Sequence, residues 1–314
     1  MTSSETLAPT RALIEDVAAL IGDRVRRTPV VELGLPGGQA VTLKLELLQH
    51  TGSFKPRGAF ANVLSAPSLP STLVAASGGN HGLAVAYVAR VLDLTAQIFV
   101  PQSAPAVKVA RLRSLGAEVH QVGATYQEAY AASASAAAAD DALGVHAYDG
   151  VLTLAGQGTT GREIAEQVTD VDSVLVAVGG GGFLGGIASW FGSQRRMVAV
   201  EPEGSATYAA ALAAGQPVDI SPGGLASDSL GASRIGSSAW QAMRAADVAS
   251  LVVSDDEIVA ARELLWRELR IAAEPGGAVA LAAVLSGRYR PAPGEKVVVV
   301  VCGANADPAD LPLD

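Results

Sequence analysis

The sequence predicts an α/β protein with open, twisted, mainly parallel sheets flanked by helices. Three observations predict it. Short apolar runs of strand length alternate along the chain with amphipathic runs of helical period. Several of the turns between them are rich in glycine. With 314 residues, 49% of them hydrophobic and 17% charged, the chain can bury a sizeable core and is not disordered. Strand and helix in turn give right-handed βαβ units, hence parallel strands with helices on both faces.

Taken in order, residues 41–46 alternate apolar and polar side chains as a strand does, and residues 58–64 carry apolar residues at helical spacing. Pro56 belongs in the first turn of that helix, where a missing N–H costs nothing. Further strands are expected at 73–76, 96–100, 118–122, 173–178, 197–201, 250–253 and 296–302. Helical patterns lie between them, among others at 80–92, 106–115, 182–191 and 255–271. The alanine-rich run 129–142 reads as a surface helix, because alanine is the best helix former. There is no repeat and no long linker. In such folds small molecules bind at the carboxyl ends of strands.

Four segments at those ends carry chemistry. Ser53-Phe54-Lys55-Pro56-Arg57-Gly58 places one lysine at a helix entry. A cation is disfavoured beside the positive end of a helix, which lowers its pKa and supplies a neutral amine able to attack a carbonyl. A surface lysine at a helix entry is the plainer alternative. Ser77-Gly78-Gly79-Asn80-His81-Gly82 follows a strand and opens a helix, and its amides suit an anion such as a carboxylate. A tight turn with Asn80 as N-cap and His81 as a packing residue competes with that reading. Gly179, Gly180, Gly181 and Gly182 form a loop costly to order, of the kind that wraps a phosphate at a helix start. Gly180, Gly182 and Gly185 also fit G-x-G-x-x-G with Glu201 as a ribose acid, so a nucleotide-dependent oxidoreductase is the rival reading. Finally Cys302-Gly303-Ala304-Asn305 ends the last strand with a thiol. A lysine, an anion-binding turn, a phosphate loop and a terminal thiol together point to one cofactor that is both aldehyde and phosphate, pyridoxal 5'-phosphate.

With these segments, and with Ala155-Gly156-Gln157-Gly158-Thr159 and Glu274-Pro275, the chain resembles the fold type II pyridoxal phosphate enzymes of the serine/threonine dehydratase and serine racemase family over nearly its whole length. The resemblance implies a large cofactor-binding domain of residues 1–68 and 147–314, a small domain of residues 69–146, and the cofactor in the cleft between them. It makes Lys55 the Schiff-base lysine and catalytic base, and Phe54 a neighbour of the cofactor ring. Asn80 becomes the partner of the ring hydroxyl, Gly179 to Gly182 the phosphate cradle, and Cys302 the group facing the pyridine nitrogen. Ser77, Gly78, Gly79, Asn80 and His81 would hold the substrate. Racemases of the family carry a serine where this chain has Gly78, and glycine has no proton to give. The resemblance therefore implies elimination of water from a 3-hydroxy amino acid such as L-threonine or L-serine, giving a 2-keto acid and ammonia. Alternatives are a β-replacement synthase and an amino-acid racemase. Many relatives hold a divalent cation through a glutamate, a carbonyl four residues on and an aspartate six residues on. Here Glu201 and Ser205 fit but Thr207 replaces the aspartate, which puts the metal in doubt. Arg234 is a candidate for a second substrate carboxylate, with a solvated arginine as the alternative. The regulatory domain of biosynthetic threonine dehydratases is not expected, nor is feedback inhibition.

Composition excludes several partners. The net charge is −9 with no basic cluster, so neither nucleic acid nor an anionic membrane is expected to bind. Cys302 is the single cysteine, so no internal disulfide forms. Without a signal-like or membrane-spanning run the chain reads as cytoplasmic, working on a small amino acid as a homodimer.

Overall fold

The structure is a computed structural model that describes residues 8–36 and 38–306. After α1 (Arg11–Ile21) come β1 (Val30–Gly34), β2 (Ala40–Lys44) and α2 (Lys55–Leu64). Then follow β3 (Thr72–Ala76), α3 (Asn80–Leu92), β4 (Thr95–Val100), α4 (Ala106–Ser114), β5 (Glu118–Gln121), α5 (Tyr126–Ala137) and β6 (Ala142–Gly144). The chain continues through α6 (Val151–Gln167), β7 (Ser173–Ala177), α7 (Gly182–Phe191), β8 (Arg196–Pro202), α8 (Thr207–Ala214), α9 (Ser227–Leu230) and α10 (Ser237–Ala245). It closes with β9 (Ala249–Val253), α11 (Asp255–Leu269), α12 (Pro275–Leu285) and β10 (Val297–Val300).

These strands form two sheets. The larger runs β1-β2-β10-β7-β8-β9 and is parallel except for β1, which lies antiparallel on β2 with Val30 opposite Lys44. The smaller runs β5-β4-β3-β6, all parallel, and draws only on residues 72–144. Every residue of β7 and β10 is buried, as expected of parallel strands covered on both faces.

Differences from the sequence reading have local causes. The alanine-rich run is not one helix to residue 142: α5 ends at Ala137, Asp141 turns the chain with φ 62°, and Ala142 enters β6. A capping box of Thr125 and Glu128 sets the start of α5, and one of Ser254 and Glu257 that of α11. Helix α11 stops at Leu269 because Arg270 adopts φ 54°. The polar positions of residues 41–46 are not on a wet face. Lys44 and Glu46 are fully buried and belong to an ionic cluster with Arg57 and Glu163.

That cluster and helix α6 position the site. All three guanidinium nitrogens of Arg57 are used: Nε and Nη2 donate to Glu46 at 2.8 Å, Nη1 to Glu163 at 2.7 Å and Thr159 at 3.0 Å, and Nη2 also to the Arg26 carbonyl at 3.1 Å. A charge without solvent is tolerable only when so fully paired. On α6, a Cβ at Gly156 would lie 2.5 Å from the Arg57 carbonyl oxygen, and one at Gly158 2.8 Å from that of Gly186. The glycines therefore let α2 and α7 lie on α6 at backbone contact. Since α2 begins at Lys55 and α7 at the glycine loop, one helix sets the spacing of both.

Candidate active site

Lys55 is the first residue of α2, and its Nζ donates to the Ala147 carbonyl at 2.6 Å. The side chain is only partly covered along its length, but burial of its amino end lowers its pKa to about 8. Burial, rather than the helix terminus expected from the sequence, leads here. Anionic Cys302 and Glu274 would raise it, yet both are themselves held toward their neutral forms by burial. The amine is thus available unprotonated just above neutral pH. Phe54 lies 5.1 Å from Nζ and stacks on Phe183 at 3.9 Å between centroids, which joins the lysine segment to the start of α7.

A short bridge fixes the lysine to the last strand. Ser53 pairs with Gly303, Phe54 N–H donates to the Cys302 carbonyl at 3.3 Å, and Ala304 N–H to that of Gly52 at 2.9 Å. Cys302 is buried, its thiol 3.4 Å from the Gly276 carbonyl, and burial pushes its pKa up, so it stays a neutral thiol. Glu274, which the sequence marked only as part of a motif, proves central. Its Oε1 accepts from Asn80 at 2.7 Å and its Oε2 from Asn305 N–H at 3.1 Å, while burial raises its pKa to about 7.

The turn after β3 holds Ser77, Gly78, Gly79 and Asn80 half-exposed. Gly79, not Asn80, is the N-cap, so the Asn80 side chain does not close the helix. Instead it reaches across to Glu274 and accepts from Asn305 at 2.5 Å. One of its two Nδ2 hydrogens remains beyond the Glu274 bond. A Cβ at Gly82 would fall 2.0 Å from the Ser77 carbonyl oxygen, so the turn requires glycine there. The His81 imidazole leaves the substrate group: it is buried on the Val145 carbonyl at 2.8 Å, and burial followed by the Lys55 charge lowers its pKa to about 3.

In the glycine loop the carbonyls are fastened to the protein. Gly179 O accepts from Thr207 at 2.5 Å, Gly180 O from Gly236 N–H at 3.0 Å and Gly181 O from Gly185 N–H at 2.8 Å. A trans peptide points its N–H opposite to its carbonyl, so the N–H groups of Gly180, Gly181 and Gly182 face the other way, at a helix start. Gly181 has φ +83°, and a Cβ at Gly180 would strike the Tyr148 ring at 2.2 Å. Amides of this kind can hold a phosphate, while Lys55 can bond an aldehyde carbon and the thiol can face a ring nitrogen; the residues fit the cofactor.

Cross-contacts tie α4 to later segments of the chain. Lys108 on α4 pairs with Asp228 on α9, and Arg111 donates to Asn305. Sequence reasoning missed these residues, although Lys108 and Arg111 stand three apart on one helical face. Arg234 is outside the site, paired with Asp219 at 3.3 Å and with the Pro217 carbonyl at 2.8 Å. Glu201 is fully buried and bound to the amides of α8, so it is free for neither a ribose nor a cation.

The pyridoxal-phosphate dependent enzyme family model matches residues 21–303. The chain is 34% identical to an L-threonine ammonia-lyase of Geobacter sulfurreducens, over 94% of this chain and 75% of that one. It is also 34% identical to a phenylserine dehydratase of Ralstonia pickettii, over 97% and 95%. Among solved structures, maize serine racemase superposes with a TM-score of 0.89 at 30% identity, covering 96% of this chain and 95% of that one. This chain therefore belongs to the pyridoxal-phosphate dependent enzymes, in the fold type II group of serine/threonine dehydratases and serine racemases.

Proposed function

We propose that this enzyme is an ammonia-lyase that eliminates water from a 3-hydroxy amino acid such as L-threonine or L-serine, releasing a 2-keto acid and ammonia. The observation that carries the reading is the enclosed amine of Lys55, with a pKa near 8, together with a turn that has Gly78 where racemases carry a serine and has its histidine turned away. The bound cofactor supplies an electron sink that acidifies the Cα proton. Lys55 then takes that proton, the amides of the 77–80 turn hold the substrate carboxylate, and the amides of Gly180, Gly181 and Gly182 hold the phosphate. Asn80, kept in place by Glu274 and Asn305, would hold the ring hydroxyl with its remaining Nδ2 hydrogen. Cys302, neutral in its buried position, would be the group presented to the ring nitrogen, and a neutral partner there would favour prompt loss of a β-leaving group. Relatives named for threonine and phenylserine support elimination. In this reading the cleft divides residues 1–68 and 147–314 from residues 69–146, and the enzyme works in the cytoplasm as a homodimer.

One observation favours a second reading of the substrate side chain. Tyr126 donates to the Ala76 carbonyl at 3.3 Å, one residue before the carboxylate turn, and stacks on Tyr130 at 6.3 Å between centroids. Both tyrosines are exposed, and Tyr148 leans on the phosphate loop beside them. Three of the chain's six tyrosines at one edge suit an apolar or aromatic group on Cβ.

Product analysis tests both. Incubation with serine, threonine and phenylserine should release keto acid and ammonia, without D-amino acid and without a new amino acid when a thiol is added. Gly78→Ser should add racemisation: a Cβ there would meet Val100 at 3.6 Å and Lys108 at 3.9 Å, so the side chain has room. A wild-type product that is only the D-enantiomer or only a thiol adduct refutes elimination.

A further inference from the structure

The cation site that the family implies does not fit this chain, and the residues in its place perform another task. Glu201 is the penultimate residue of β8, with its carboxylate aimed at the start of α8. Oε1 accepts from Tyr208 N–H at 2.7 Å, and Oε2 from Ala209 N–H at 2.9 Å. These are first-turn amides, which have no partner inside the helix, so the carboxylate caps α8. The Thr207 hydroxyl has one hydrogen. Its nearer acceptor is the Gly179 carbonyl at 2.5 Å, with Glu201 Oε1 farther off at 3.3 Å. Ser205, also buried, donates to the Gly223 carbonyl at 3.1 Å. A hard cation needs several oxygen ligands, preferably anionic. Among the described residues no three carboxylate, histidine or cysteine side chains converge on such a site.

We propose that Thr207, standing where the relatives' aspartate would be, is the fastener of the phosphate loop. Glu201 fixes the first turn of α8, that turn fixes Thr207, and the Thr207 hydroxyl holds the Gly179 carbonyl. The Gly180 N–H, on the same peptide, is thereby turned the opposite way, toward the phosphate. Thr207 and Glu201 are positioning residues, and the enzyme binds its cofactor without a divalent ion. The inference rests on the reading of Gly179 to Gly182 as the phosphate cradle.

The test measures melting temperature and pyridoxal phosphate affinity, neither of which needs turnover. Wild-type holoenzyme treated with EDTA, then given magnesium, calcium or manganese, should keep its melting temperature within about 1 °C. Its cofactor Kd should stay within about twofold. Thr207→Val should weaken cofactor binding about tenfold, the worth of one net hydrogen bond, and Thr207→Ser should restore it. Thr207→Asp, which sets a second carboxylate beside Glu201, should melt lower in EDTA and recover with calcium. Loss of melting temperature or cofactor affinity in wild type on EDTA treatment, reversed by a cation, overturns the proposal. So does unchanged affinity in Thr207→Val. Cofactor binding without ammonia release would instead defeat the elimination reading and leave this one standing.

Discussion

Lys55 and Glu274 are unusual because both are ionisable and both sit where water does not reach their charged ends. The sequence disclosed Lys55 through the residues around it, Phe54 and Pro56. It did not disclose Glu274 as a partner of Asn80, since the two lie 194 residues apart in the chain. A pH measurement isolates Glu274. Its pKa is raised to about 7 in the folded protein. The native state therefore holds the proton over a range in which the unfolded chain has lost it. The stabilisation is complete below the unfolded value and is lost as pH rises through about 7. Glu274→Gln has no such dependence. Comparing the two apoproteins by denaturant unfolding from pH 5 to pH 8 should show the variant gaining on wild type by up to about 3 kcal/mol. A difference that does not change with pH would contradict the assigned burial. For Lys55 the sign is opposite. Its folded pKa is lowered, so its burial penalty eases as pH rises above about 8.

At the scale of elements, the strands and the helices near the site were legible because each leaves a periodic trace. Helices α3 and α7 begin and end where their patterns do. Besides β1 at Val30–Gly34, which was not among the expected strands, two things left no trace. One is β6, three residues long, hidden at the end of an alanine run that only the turn at Asp141 interrupts. The other is the ionic cluster, since a strand with alternating Lys44 and Glu46 reads as half-wet until Arg57 and Glu163 arrive from distant segments. Helix α6 lies between these cases. Its Gly156 and Gly158 were visible as a motif, but their use as contact surfaces for α2 and α7 needs the structure. Gly156→Ala tests that use. The added Cβ would stand 2.5 Å from the Arg57 carbonyl oxygen and 2.7 Å from Gly58 Cα, both backbone atoms that cannot step aside. A loss of about 1–3 kcal/mol in unfolding free energy is expected, together with weaker cofactor binding as Lys55 shifts from the glycine loop. A variant as stable as wild type would show that α2 does not rest on α6.

For the molecule as a whole, the central point is how far apart in sequence the working parts lie. The lysine comes from residues before the small sheet, the Ser77–Gly82 turn from within that sheet, and the glycine loop and thiol from well after it. Only the order of their motifs betrayed a common site, because no local pattern encodes a contact between residues 55 and 302. Contacts that hold the small sheet to the rest, Lys108 with Asp228 and Arg111 with Asn305, were beyond the sequence for the same reason. All these parts converge on one amine, so the most direct measurement is ammonia and keto acid release from 3-hydroxy amino acids by wild type and by Lys55→Ala. Wild type should turn over at least one of them while showing the visible absorbance of bound cofactor. Lys55→Ala should lose that absorbance and more than about 10³-fold of the rate. Turnover by Lys55→Ala at the wild-type rate, or a coloured wild-type protein that releases ammonia from none of them, would contradict the account.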